Sequence, residues 1–447
     1  MSSSDGAFHL KKSGGSKVKT DSEGYFISKR YSWYIFTLLY LLYLSDYIDR
    51  MVVVSLFPYL QVEWGLSDTQ CGMLVSVVYW SIVAFTFPIS ILIDRWSRKK
   101  SIGIMALIWS FATGACVLVK TFPQLIAART VIGVGEAGYA PGGTAMISAF
   151  FPEKKRSLTL GLFHTAVPVG NALGIALGGF IAATYGWRSA FGIVAIPGFI
   201  LALLFFTIRD YKTIDLLKTV GSTADTGEKR KMKKMDIARE FAGNATLITT
   251  YIAFAANIFF VVSLLSWLPT YFYRIEGIPM EQASVKAGIV FLFAIIGAPL
   301  GGFIADRWAK KRVNGKLLTC SLASLVTSLI ILTVFLLPSG PVQYAVLLMG
   351  GVAAMSFTPA AVAVTQEVVH PGLRAMSYSL CVIFQNLLGS SLGPIFVGAL
   401  SDRFGIKTAL TVVPAFAFLS SIIFFIASFF YEKDIARVEK VALSLEE

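Results

Sequence analysis

Five ionisable residues stand inside stretches that are otherwise apolar: Asp46, Asp49 and Arg50 in one, Arg129 and Glu136 in another. At the centre of a bilayer a charge costs upward of about 2.5 kcal/mol, so a group kept there points to binding, ion pairing or proton transfer. The i, i+3, i+4 spacing places Asp46, Asp49 and Arg50 on neighbouring positions of one helical face. Asp49 and Arg50 are adjacent and so diverge by about 100°, which makes Asp46–Arg50 the better intrahelical pair. Asp49 is then freer to meet another helix. Arg129 and Glu136 lie seven apart, on one face but about 10 Å from each other, too far for a direct ion pair unless a partner sits between them. The expected arrangement is an interhelical cluster in which Asp49 and Glu136 compete for Arg50 and Arg129. A carboxylate that loses its arginine is desolvated and takes a proton, which removes a buried charge. Asp46 is a third candidate proton carrier. The alternative is a static network that braces two helices.

Other polar residues in apolar stretches extend this reading. His164 lies one turn before Pro168 and could relay protons, contact a bound molecule, or act as a neutral hydrogen-bonding group. Asn257 and Asn386 would be costly unpaired in lipid, so each is expected to face a cavity or a neighbouring helix, with cavity lining favoured for Asn386. Asp94-Arg95 and Asp306-Arg307 each end an apolar block and open a basic loop. An Asp there can bridge to the positive end of a helix and to an Arg across the loop, which suits a gate. The four cysteines show no metal-binding spacing, and no cofactor is expected. Gly133-Val-Gly135 has no βαβ context, and no phosphate-binding loop motif occurs, so nucleotide chemistry is set aside.

The elements that must position these residues are helices long enough to span a membrane. Of 447 residues, 55% are hydrophobic and 15% charged, well below the quarter of charged residues that a wetted surface requires. Twelve apolar blocks follow one another: 33–57, 70–93, 101–119, 124–150, 157–184, 188–208, then 245–273, 283–305, 315–337, 341–369, 374–400 and 407–431. Spanning about 30 Å of hydrocarbon takes roughly 20 helical residues, which these blocks supply. The expected organisation is a tail (1–32), a six-helix bundle (33–208), a basic linker (209–243), a second six-helix bundle (244–431) and a tail (432–447). The loops alternate between basic ones, including Arg95/Arg98/Lys99/Lys100 and Arg307/Lys310/Lys311/Arg312, and loops without bases such as 58–69. By the positive-inside rule both termini are expected in the cytoplasm. The same rule accounts for the net charge of +13, so nucleic acid is not an expected partner. Residues 1–32 lack the apolar core of a signal peptide.

The two halves repeat. Asp94-Arg95-Trp96-Ser97-Arg98-Lys99-Lys100 is echoed by Asp306-Arg307-Trp308-Ala309-Lys310-Lys311-Arg312, Pro141 by Pro359, Arg156 by Arg374, and Gly186-Trp-Arg by Gly405-Ile-Lys. Such a repeat points to a secondary transporter with its substrate site between the halves, near the midplane. The positions that match Arg129 and Glu136 in the second half fall near Leu347 and Ala354 and are apolar. A bracing role would be needed equally in both halves, which favours coupling over bracing.

These residues resemble the major facilitator superfamily, whose loop motif G-x-x-x-D-R-x-G-R-R/K is matched well around Gly302-Asp306-Arg307. In the first half Ser90 and Ser97 replace its glycines. The resemblance covers about 33–431 and implies twelve helices in two pseudo-symmetric bundles, alternating access and a monomer. Within the superfamily the chain looks most like spinster-type transporters, through Asp46-Tyr-Ile-Asp49-Arg50, Arg129 with Gly133-Val-Gly135-Glu136, Phe151-Pro152, and Phe163, Pro168, Gly170 and Gly174. Spinster-type members usually have Asn where Asp46 stands, so this chain carries an extra acid. The resemblance implies proton-linked movement of a lipid-like amphiphile such as a lysophospholipid or sphingoid lipid. Trp267-Leu-Pro-Thr-Tyr-Phe272 also resembles organic-anion symporters, which keeps sugar acids and carboxylates as an alternative. A non-transporting receptor on the same fold would need no titratable cluster. The expected location is a bacterial inner membrane, with protons, membrane lipids and a small-molecule or lipid substrate as partners.

Overall fold

The computed structural model describes residues 28–95, 97–209, 240–370 and 373–438, so most of the expected tails and linker lies outside the described residues. Every regular element among the described residues is helical. The first span runs Lys29–Val52, tightens into a 3-10 turn at Val53–Leu56 and continues as Phe57–Trp64. Asp68–Arg95 forms the second and Arg98–Ala115 the third. The fourth is broken into Phe122–Glu136 and Tyr139–Phe150, the fifth into Glu153–His164 and Ala166–Tyr185, and Trp187–Phe205 is the sixth. In the second half, Ala245–Ile275 is the seventh span, Met280–Leu292 with Ala294–Ala309 the eighth, and Gly315–Leu336 the ninth. Pro341–Ala354 with Thr358–Glu367 forms the tenth. Arg374–Phe384, a π-helical turn Gln385–Ser390 and Leu392–Phe404 form the eleventh, and Ile406–Val412 with Pro414–Ala436 the twelfth.

Ten of these are long and apolar enough to cross a membrane. The two that fall short are the first and fourth, which carry the intramembrane charges. Tyrosines and acids dilute the first, and the fourth is interrupted just after Glu136. The repeat is visible in the backbone. Pro141 and Pro359 each sit in the first turn of the second piece of a broken span, where a residue without an N–H ends the preceding helix rather than continuing it. Gly186 and Gly405, matched in the repeat, both turn the chain at positive φ, 82° and 80°, between the fifth and sixth and the eleventh and twelfth spans.

Small residues set the distances between helices. Gly170, Gly174 and Gly178 form a stripe at i, i+4, i+8 along the fifth span, and a carbon added to any of them would come within 2.6, 2.6 or 2.7 Å of the first span. The fourth span is held the same way. A carbon on Gly133 would lie 2.5 Å from the Val78 carbonyl of the second span, and one on Gly135 would lie 2.8 Å from the Trp109 amide of the third.

We call the end of the bundle that carries Lys29 and Ala436 the terminal end and the opposite one the distal end. Among the described residues, the hydrogen bonds and ion pairs between the halves lie distally. Asp402, near the end of the eleventh span, accepts from the amides of Asp68 (2.7 Å) and Thr69 (2.9 Å) and from the Thr69 hydroxyl (2.6 Å). One half thereby caps a helix of the other, placing a carboxylate on the positive end of the second span. Asp68 in turn receives both guanidinium arms of Arg274, at 2.8 and 2.6 Å, and Arg274 also donates to Gln61. The backbones touch here: a carbon on Gly72 would meet the Pro394 carbonyl at 2.4 Å, and one on Gly398 the Asp68 carbonyl at 2.5 Å. Across the second seam Gly179 lies against Ser284, whose hydroxyl donates to Ser55 at 3.0 Å. Within the first half, Glu63 accepts from Arg188 and Trp187 at 2.9, 2.7 and 2.6 Å.

Two outcomes follow from this packing. Gly174→Leu forces carbon against the Ile48 carbonyl and lowers the thermal midpoint of the purified protein, an overpacking cost of about 1–3 kcal/mol. Gly161→Ala, with open space around the new carbon, does not lower it. A normal midpoint for Gly174→Leu would contradict the tight seam. Asp402→Ala removes the cap in trans, worth about 1 kcal/mol, and shifts the population toward a distally open state by about fivefold. Spin-label distances between the distal ends of the second and eleventh spans report this, and an unchanged distribution rules the cap out as a determinant of closure.

Candidate functional site

The first span must bury Asp46, Asp49 and Arg50, and each of them is 6% exposed or less. Arg50 is the hub. Its Nη2 donates to both oxygens of Asp46 at 3.2 Å, one turn back on the same helix, and stands 2.9 Å from Oε2 of Glu136 on the fourth span. The expected Asp46–Arg50 pair forms, and the guanidinium is shared with a second carboxylate from another helix. Its planar face is covered as well, with Tyr47 at 4.5 Å and Tyr79 at 5.4 Å from ring centroid to guanidinium carbon.

Arg129 behaves differently from the sequence expectation. Among the described residues it reaches no carboxylate. Nε donates to the Leu74 carbonyl (3.0 Å), Nη1 to the Asp49 carbonyl (3.3 Å) and Nη2 to the Arg50 carbonyl (3.1 Å). Those last two carbonyls belong to the final turn of Lys29–Val52, just before it tightens into the 3-10 turn. A helix end of this kind carries partial negative charge and carbonyls short of partners, so a buried cation caps it. Asp49 points to the third span, where the Thr113 hydroxyl donates to Oδ2 at 3.4 Å, and Oδ1 has no hydrogen-bond partner. The competing carboxylates are therefore Asp46 and Glu136 over Arg50, in place of Asp49 and Glu136 over two arginines. The seven-residue gap between Arg129 and Glu136 is bridged by Arg50, which offers its carbonyl to one and its guanidinium to the other.

Around the cluster lies an aromatic wall. Tyr43 stacks on Phe163 at 4.5 Å and on Tyr139 at 5.6 Å, and the Tyr139 hydroxyl donates to the Leu39 carbonyl. His164 is exposed beside it, 6.3 Å from the Tyr43 ring. Asn386 is half-buried in the π-helical turn of the eleventh span and accepts from Ser390 at 3.3 Å. π-turns of this kind recur at functional sites. For Asn257 the neighbouring-helix expectation holds, and a substrate-binding role does not fit: it is buried at a junction of the seventh, ninth and twelfth spans, donating to Ser324 (2.8 Å) and Ser420 (2.5 Å), so its amide is consumed in packing. The backbone of Asp94 and Arg95 ends the second span, while their side chains lie outside the described residues. Asp306 and Arg307 end the eighth span and are both exposed.

Residues that the sequence reading passed over are those of the distal closure: Asp68, Arg274, Asp402. The signal was present as an acid-only loop, 58–69, and a lone base, Arg274, at the end of the seventh span. What pairs them is the packing of one half on the other. Thr113 was likewise unremarkable among the polar residues of the third span.

Comparison with known proteins places this geometry. A model of the Major Facilitator Superfamily matches residues 39–394. The hexuronate transporter of Bacillus subtilis is 28% identical over 65% of this chain and 68% of that protein. The sphingosine-1-phosphate transporter SPNS2 of Xenopus tropicalis is 24% identical over 89% of this chain and 81% of that protein. Among solved structures, a bacterial homologue of the human lysosomal transporter Spinster, in an inward-facing, unoccupied conformation, superposes with a TM-score of 0.80 at 23% identity, covering 91% of this chain and 99% of the other. With twelve helices in two repeated bundles and a family match across most of its length, this chain belongs to the Major Facilitator Superfamily and is a spinster-like, multi-pass membrane transporter.

Proposed function

We propose that the protein moves a lipid-like amphiphile across a bacterial inner membrane, coupled to protons, by alternating access, with both termini in the cytoplasm. In that orientation the distal closure faces outward and the terminal end faces the cytoplasm. The carrying observation is the state of the two buried arginines. Arg50 is already occupied by Asp46 and Glu136, and Arg129 by three backbone carbonyls. Neither is free to receive the carboxylate of a sugar acid, whereas the aromatic wall of Tyr43, Tyr139 and Phe163 suits an apolar chain. The hexuronate transporter among the relatives keeps organic anions as the second reading. That reading requires a substrate carboxylate to displace Glu136 from Arg50.

Proton coupling follows from charge balance. Asp46, Asp49 and Glu136 face two cations, Arg50 and Arg129, all five buried. With every group ionised the cluster holds one excess negative charge in a medium that penalises it, and a single proton makes it neutral. Two carboxylates on one guanidinium give that proton two alternative seats, on different helices. Moving it changes how firmly the first and fourth spans are tied, which is the mechanical step that alternating access needs. Asp94, Arg95, Asp306 and Arg307 are assigned to the gate at the cytoplasmic end.

The test is transport in proteoliposomes under an imposed pH gradient, with lysophosphatidylcholine, sphingosine and glucuronate as substrates. We expect saturable movement of an amphiphile, abolished by a protonophore, and none of glucuronate. Glu136→Gln slows proton-driven transport at least about tenfold, equivalent to about 1.4 kcal/mol in the barrier. Wild-type rates in that variant sink the coupling assignment, and glucuronate uptake in the wild type sinks the substrate assignment.

A further inference from the structure

Outside the central site, one feature that the function does not absorb is a groove at the terminal end, on the outer face of the second half. It encloses about 520 Å³ and is walled by Trp308, Lys311, Arg312, Leu322, Leu325 and Phe425. We propose that this groove is a binding site for an anionic glycerophospholipid, its headgroup on Lys311 and Arg312 and one acyl chain along the ninth span.

Three observations carry this. The first is charge: Lys311 and Arg312 are both exposed, no acidic residue lines the groove, and neither base has an ion pair among the described residues. Two unbalanced bases at the edge of a bilayer attract an anionic headgroup. The second is the division of polarity. Leu318, Leu322 and Leu325 follow at i, i+4, i+7 on one face of the ninth span and run about 10 Å down from the bases. Leu322 and Phe425 are each 47% exposed on the outer surface, so this wall faces the surrounding lipid. A free phosphate would use only the bases and leave the apolar wall unfilled. A phospholipid uses both, and Trp308 at the junction is the residue type that settles at headgroup level.

The third observation is that the site is built rather than incidental. The turn carrying the bases is fixed by bonds from the Lys311 and Arg312 amides to the Trp308 carbonyl, both 2.9 Å, and from Gly315 to the Arg312 carbonyl at 3.0 Å. Gly315 lets the turn close, since a carbon there would lie 2.5 Å from Trp308. Asn314 donates to the Ser428 carbonyl at 3.4 Å, and Ser321 bonds Ser421, so the turn and the ninth span are tied to the twelfth, which supplies Phe425.

The experiment uses the full chain in detergent, titrated with dioleoylphosphatidylglycerol, dioleoylphosphatidylcholine, or inorganic phosphate. Retained lipid is read by native mass spectrometry and stabilisation by thermal shift. The expected result is at least about tenfold tighter binding of the phosphatidylglycerol than of the phosphatidylcholine, and no shift with phosphate. Lys311→Gln with Arg312→Gln removes the preference while binding of phosphatidylcholine persists, which reports an intact fold. Lys407→Gln, an exposed base at the distal end, retains the preference. Leu322→Glu weakens the phosphatidylglycerol complex with both bases still present. Equal binding of the two lipids, a preference that survives loss of both bases, or stabilisation by phosphate alone each overturn the proposal.

Discussion

One guanidinium shared by two carboxylates on separate helices is the interaction on which the first half depends. Arg50 cannot be buried alone, and neither can Asp46 nor Glu136, so each makes the presence of the others tolerable. Removing Arg50 would leave two carboxylates uncompensated in a low-dielectric interior. The aromatic rings of Tyr47 and Tyr79 complete the shell around the cation. Geometry of this kind is stable yet not saturated: the Glu136 contact is close without full hydrogen-bond alignment, and Arg50 Nε has no partner. An arrangement with polar atoms left over has acceptors and donors available for a change of partner.

Everything around the cluster serves to hold the first and fourth spans at the right distance. The glycine stripe of the fifth span lets the first lie against it, and Gly133 with Gly135 wedges the fourth between the second and third. Arg129 then caps the first span where its α-helix tightens, so the helix end and the charge cluster are fixed by the same side chain. Bracing and coupling need not exclude each other: Arg129 holds backbone carbonyls of the first span, and on the proposed mechanism Arg50 is the exchangeable partner.

The second half has charges too, placed elsewhere. Lys286 pairs with Glu276 and Lys316 with Glu367, all inside that half. The closing contacts of Asp402 and Arg274 reach across to Asp68 at the distal end, far from the Arg50 cluster. One half therefore carries the titratable centre and the other contributes the carboxylate that caps its partner's helix. The two features share an element: the first span, which carries Asp46, Asp49 and Arg50, runs on to Trp64 just before Asp68.

Sequence alone determined the twelve helices, the two-fold repeat and the identity of the buried charges. Those follow from run length, hydropathy and spacing, which are local properties of a helix in lipid. The Asp46–Arg50 pair was legible for the same reason, being four residues apart on one helix. The partners of Arg129, Asp49 and Asn257 were not, because each lies on a different helix and depends on how far glycine seams let helices approach and rotate. Residue type says that a buried arginine needs acceptors, yet it does not distinguish a carboxylate from the carbonyls of a helix end. Nor does an acid-only loop say which base or helix it will meet. Tertiary structure decided those pairings, since they are set by the packing of one half on the other.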